Sequence, residues 1–199
     1  MSSSQRLLAA DQKLVQIVDA SFADAAQRSG KWLLCRPGCA QCCMGVFEIN
    51  QLDASRLQRG LAELKKSDPD RAKRVQGRAR QAVKKLAPEF PGDSRTGALG
   101  DDEDAQARFE TFANDDPCPA LDPESGTCDL YEHRPMTCRA FGPPIRSEGG
   151  LGVCELCFQG ATAQQIAACE MQVDPDGLEE KLLGETKDQS KTIVAYCLR

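Results

Sequence analysis

Nine of the eleven cysteines in this chain of 199 residues fall into two groups, at 35–43 and 118–157, and the second group lies where long helices cannot run. It is threaded by Pro117, Pro119, Pro123, Gly126, Pro135, Gly142, Pro143, Pro144, Gly149 and Gly150. That density of breakers leaves turns and irregular loops. With aromatics at only 5%, the core is short of its largest apolar side chains. A chain of this kind needs internal cross-links, and the thiols are the groups able to supply them.

What kind of link depends on the compartment. The N-terminus, Met1-Ser2-Ser3-Ser4-Gln5-Arg6, leads into an amphipathic segment rather than a continuous apolar one, and no apolar run approaches the roughly 20 residues that span a bilayer. The expectation is a cytoplasmic protein with no membrane partner. In a reducing compartment clustered thiols bind metals more readily than they pair as disulfides, and an odd count leaves at least one thiol unpaired in any case. A net charge of −5 and a pI near 5.1 argue against general nucleic-acid binding.

The rest of the chain reads as helix, and the fold class expected is mainly α: a small helical domain with irregular cysteine-rich loops wrapped around a metal centre. Leu7, Leu14, Val18, Phe22 and Ala25 recur at helical spacing over 5–28. Asn50 caps a second helix carrying Leu52, Leu57, Leu61 and Leu64. Asp68-Pro69 opens a third that runs to Leu86 and stops at Pro88. Residues 89–100 read as a loop, short helices are expected near 162–172 and after Asp174-Pro175, and 191–198 suits a strand or a terminal helix. The domain reading is an N-terminal helix at 1–30, a cysteine-cluster domain at 31–160 with a helical hairpin inserted at 50–88, and a helical extension at 161–199.

Charge divides the middle of the chain. Residues 56–85 hold eleven Lys or Arg against three acids, whereas 101–132 hold eleven acids and one Arg. Complementary or solvated faces are the simplest use of such blocks, and without interleaved aromatics the basic one does not read as an RNA surface.

The first cysteine group is Cys35-x3-Cys39-x2-Cys42-Cys43 and the second is Cys118-x9-Cys128-x9-Cys138 followed by Cys154-x2-Cys157. Thiols two residues apart can bite one ion across a tight turn. Adjacent side chains usually diverge, so Cys42 and Cys43 hint at two ions, a polynuclear cluster, or one ligand beside a second thiol. The 74 residues between Cys43 and Cys118 exclude a local finger, and the two groups are expected to converge. His133 is the only histidine, which excludes a multi-histidine site, and it reads as a surface residue. Four thiolates around a divalent ion carry a net charge near −2, so Arg134 and Arg139, flanking Cys138, are expected to bind and offset the sulfurs. Cys169 and Cys197 stand alone and read as buried small side chains.

The residues from Cys35 to Cys43, together with Cys118-Pro-x-Leu, Gly126-Thr-Cys128, Tyr131-Glu-x-Arg134-Pro135 and Cys138-Arg139, resemble the YkgJ or CxxCxxCC family over about 35–146. The resemblance implies a cysteine-ligated centre, either zinc or an iron–sulfur cluster such as [4Fe–4S]. A related cysteine domain occurs in flagellin lysine methylases, which adds a cluster-dependent protein-modifying enzyme to two other readings: a redox or accessory iron–sulfur protein, and a structural zinc domain that meets a protein partner. No Gly-rich strand–loop–helix pattern for a nucleotide accompanies it.

Overall fold

The computed structural model describes residues 2–147 and 149–199. It is mainly α, with short two-stranded ladders, and it divides into two compact units, each assembled from separated stretches of chain. The first unit comprises Met1–Arg36 with Met136–Lys187, and the second comprises Pro37–Pro135 with Asp188–Arg199.

In the first unit, helix α1 spans Ser3–Ser29 and starts from a capping box in which Ser2 and Gln5 satisfy each other's backbone N–H groups. Its face bearing Leu14, Val18 and Ala25 is fully buried. Helix α1 packs on α5 (Met136–Ala140) and α7 (Leu178–Gly184). Arg139 of α5 is buried and grips Asp19 of α1 through both carboxylate oxygens at 2.8 Å. The five-residue α5 fits between Pro135 and Gly142, so the breaker-rich region does hold one short helix. The helix expected near 162–172 is only Ala163–Ala167 (α6), because Cys169 N–H and Glu170 N–H already bond back three residues to Ile166 and Ala167. Helix α7 starts at Leu178 rather than at Asp174, whose carboxylate instead accepts from Glu179 N–H at 2.8 Å. A hairpin, β4 (Ile145–Ser147) with β5 (Gly150–Gly152), completes the unit.

The second unit is built on the helical hairpin. Asn50 accepts from Leu52 and Asp53 N–H, both at 3.0 Å, to start α2 (Gln51–Ser67). Asp68 accepts from Arg71 N–H to start α3 (Pro69–Leu86) with Pro69 in its first turn. Leu57, Leu61, Ala72, Val75 and Ala79 interlock between them with Ile49, Ala120, Leu130, Val194 and Leu198. Residues 191–198 turn out to be both alternatives: β6 (Thr192–Ile193) pairs antiparallel with β1 (Glu48–Ile49), and α8 (Val194–Leu198) then packs on α2 and α3. The 89–100 loop contains a small hairpin, β2 (Gly92–Asp93) with β3 (Ala98–Leu99), and α4 (Glu103–Glu110) follows. The opposed charge blocks meet, as Arg71 and Arg78 bond Asp129 and Lys85 bonds Asp116.

Candidate metal centre

The second unit gathers thiols from both cysteine groups. Residues 40–43 form a 3-10 turn closed by Cys43 N–H to Ala40 O at 2.9 Å. The chain then runs antiparallel to 113–118: Cys118 N–H donates to Cys43 O at 2.7 Å, Gly45 N–H to Asp116 O at 2.9 Å, and Val46 N–H to Ala113 O at 3.2 Å. Gly45 makes this approach possible, for its φ is +84° and a Cβ there would stand 2.9 Å from Asn114 O. Leu121 and Cys128 pair across a bridge, and Asp129 N–H to Ala120 O at 2.7 Å holds the returning strand of that loop. Cys118 and Cys128 pack on the α2–α3 core.

These bonds bring Cys42, Cys43, Cys118 and Cys128 into electrostatic range of one another. Contrary to the divergence expected of neighbouring side chains, the Cys42 and Cys43 thiols, both in the Gln41–Cys43 3-10 turn, hydrogen-bond to each other. That bond holds Cys42 down to about 6, helped by its backbone and by Arg134, and pushes Cys43 up. Burial pushes Cys118 up to about 12 and raises Cys128. Three of the four thiols thus lose by ionising alone, and a bound cation would remove that cost.

Arg134 is positioned by its own turn. Tyr131–His133 is a 3-10 turn, in which side chains three apart eclipse, and the Arg134 guanidinium lies 3.9 Å from the centre of the Tyr131 ring. Tyr131 entered the sequence reading only as part of the family motif, and the Tyr131-x2-Arg134 spacing carried the signal for its place under Arg134. His133 bonds Glu63 at 3.0 Å and lies over Gly60, where a Cβ would strike its ring. A cavity of about 370 Å³ opens beside Cys118, walled by Val46, Phe47, α3 and Pro119.

The remaining expected site residues are distributed as follows. Cys39 belongs to the second unit, and Cys35, Cys138, Cys154 and Cys157 to the first. Cys138 is part of α5, and Arg139 beside it is engaged with Asp19. Cys154 and Cys157 are buried with Cys169 in one apolar cluster. Cys169 is buried, as expected, while Cys197 packs at the edge of the second core. Among the described residues, no group of three or more His, Cys, Asp or Glu side chains is already set for ligation, so the thiols are gathered but not closed on a point. The donor chemistry of the second unit fits a thiophilic centre nonetheless: four sulfurs, no competing histidine, and one cation beside them.

A family model described as "CxxCxxCC: Putative zinc- or iron-chelating domain" matches residues 34–158. The chain therefore belongs to the CxxCxxCC family, a class of proteins whose shared domain is described as chelating zinc or iron, in line with the cofactor expected from the sequence. Its own first spacing is one residue longer than the motif spells, since three residues separate Cys35 from Cys39. No curated protein and no solved structure matched in the same comparisons. No helix among the described residues is long and apolar enough to cross a membrane.

Proposed function

We propose that this chain is a cytoplasmic metalloprotein whose principal centre is an iron–sulfur cluster, of the [4Fe–4S] type, held by Cys42, Cys43, Cys118 and Cys128 in a redox or accessory role. The observation that carries the reading is the meeting of Cys42 and Cys43 with Cys118 and Cys128 across the 40–46 and 113–118 stretches. Adjacent thiolates strain a single ion but can each serve a different iron of a cluster. Arg134 lies beside Cys42 as a charge partner, the role that tunes thiolate centres. Arg139 has the corresponding role in this proposal only through its neighbour Cys138, its guanidinium being held by Asp19. Cys35, Cys39, Cys138, Cys154 and Cys157 complete the wider set of ligand candidates.

A structural zinc site that displays the charged faces of the unit to a protein partner is the second reading. It is favoured by the loop from Pro117 to Leu130, which holds together through turns and isolated bridges and would gain most from a mononuclear staple.

Anaerobic purification with analysis of iron, acid-labile sulfide and zinc tests both. Iron and sulfide in equal amounts, with sulfur-to-iron charge-transfer absorption lost in Cys118→Ser and retained in Cys197→Ser, is the expected result. A colourless protein with stoichiometric zinc replaces the cluster with the zinc site. The absence of bound metal under these conditions overturns both.

A further inference from the structure

The cavity beside Cys118 lies wholly within the second unit, and thiol chemistry has no use for most of it. Its volume of about 370 Å³ falls at the small end of the roughly 300–1,000 Å³ typical of ligand pockets. Phe47, Leu86 and Leu121 give it apolar walls. Pro117, Pro119 and Pro123 stiffen its loop side, since their rings fix φ and bring no N–H to hydrogen-bond a guest. Such a lining holds water poorly and takes apolar groups.

Helix α3 supplies both the floor and the charge. Arg78, Ala82 and Lys85 stand at i, i+4 and i+7, so they share one face, with the small Ala82 between two cations that are about 10 Å apart along the axis. Each cation crosses to the opposite loop. Arg78 Nε donates to Pro119 O at 2.9 Å, and Lys85 pairs with Asp116. Two struts thus bound the cavity, and the space between them is apolar.

The charges at these struts do not cancel. Asp129 is shared by Arg71 and Arg78, so two cations there meet one carboxylate, while Lys85 and Asp116 are matched one to one. Asp122 lies in range of Arg78 but accepts from Ser125 within its own turn. Donors remain as well. Arg78 Nη1 has no hydrogen bond among the described residues, and the Lys85 ammonium, with three N–H groups, spends one on Asp116. One surplus positive charge with spare donors matches a monoanion better than a doubly charged phosphate.

We propose that this cavity binds a small amphipathic acid, its carboxylate met by Arg78 and Lys85 and its apolar body lying over Ala82 between them. Binding is non-covalent, requires no metal and is independent of which thiols ligate the centre.

Calorimetric titration of the full chain, purified with its metal, tests this with hexanoate, octanoate and decanoate, and with octanol and octylamine as neutral and cationic counterparts. Expected is one saturable equivalent of octanoate. Affinity should rise about fourfold per added methylene until the cavity is full. Octanoate should bind about 10-fold more tightly than octanol or octylammonium. Ala82→Phe, which fills the floor, should abolish binding. Lys85→Gln should weaken octanoate about 3-fold and leave octanol unchanged, a small effect because the Lys85 side chain is 68% exposed. Where Ala82→Phe fails to fold, the selective loss in Lys85→Gln locates the site. The proposal is overturned by non-saturable uptake, by octanol binding as tightly as octanoate, which would mean a neutral occupant, or by unchanged octanoate affinity in folded Ala82→Phe. Metal analysis of the same samples reports separately on the centre, so either reading can fail alone.

Discussion

In the second unit, Cys42 is held near 6 by the neighbouring Cys43 thiol and by Arg134, whereas in the first unit Cys154 is held above its ordinary value, chiefly by burial beside Trp32, Leu33 and Phe158. One residue type is placed in two electrostatic settings. Among backbone donors and a guanidinium, a thiol is part-way to being a ligand before any ion arrives. Among apolar side chains it remains neutral and serves as core. The two sets therefore share donors but differ in what supports them, and perturbations that touch one support should leave the other unmoved.

Metal removal should give the largest separation. Zinc binding in small structural sites is worth about 10–16 kcal/mol, comparable with or above the ~5–15 kcal/mol that stabilises a whole domain. Stripping the second-unit centre should collapse amide exchange protection at Cys118, Leu121 and Asp129, whose N–H groups bond Cys43 O, Cys118 O and Ala120 O and so tie the loop to the 40–43 turn and to itself. The α2–α3 hairpin, with its own caps and core, should keep its protection. Unchanged exchange at those three amides after complete chelation would mean that the loop stands without metal.

The next effect tests what anchors the second set. The Asp129 side chain is 2% exposed and accepts from Arg71 and Arg78, so it ties the strand after Cys128 to α3. Removing one partner of a buried ion pair costs about 3–5 kcal/mol, and the partly exposed arginines bring the expectation for Asp129→Ala down to about 2–3 kcal/mol in urea unfolding. Metal affinity of the second unit should fall with it, while alkylation of Cys154 and Cys157 stays as it was. A fall in both sets would erase the distinction between them.

Arg134 separates charge from shape. Outer-sphere partners of metal ligands are worth about 10–100-fold in affinity, and Arg134→Ala should lose that much at the second-unit centre. Arg134→Lys keeps the charge but not the planar stack on Tyr131, and should recover only part of it. Full recovery by Lys would show that the stack contributes nothing to the site. Affinity unchanged in Arg134→Ala would remove the guanidinium from the account of Cys42.

Much of this was readable in the chain itself. Asn50, Asp68 and Pro69 are local signals whose hydrogen bonds close within three residues, so α2 and α3 begin where they should. The cysteine groups announced a chelating family, and the charge blocks left complementary and solvated faces open, of which the Arg78–Asp129 contact realises the first. The 191–198 segment resisted because its first half is a strand only by pairing with Glu48 and Ile49, and its second half a helix only by packing on α3. The same holds for the hairpins at 92–99 and 145–152, whose strands of two or three residues have no period to detect. The Cys42–Cys43 contact needed the 3-10 turn, and the grouping of Cys169 with Cys154 needed the tertiary fold.

Cys197 offers the smallest and most selective test, because it is a second-unit thiol outside the gathered set. Burial, with Asp53 nearby, pushes it up to about 12, the value that Cys118 also reaches. An unfolded thiol titrates near 9, so between pH ~9 and ~12 the unfolded chain ionises while the folded one cannot. Stability contributed by the neutral buried thiol is therefore complete below pH ~9 and lost as the pH climbs toward 12. At 1.36 kcal/mol per unit, and discounted for its partial exposure, that loss is about 1–2 kcal/mol by pH ~10.5. Cys197→Ala gives up some packing at neutral pH but has no thiol to ionise, so its urea midpoint should approach that of the unaltered chain as the pH rises. Parallel stability curves for the two proteins from pH ~8 to ~10.5 would sink the burial account. Convergence, with metal content unchanged, would establish that burial, with Asp53 nearby, raises a thiol in this unit without other thiols beside it, and that what distinguishes Cys118 is the company of Cys42, Cys43 and Cys128.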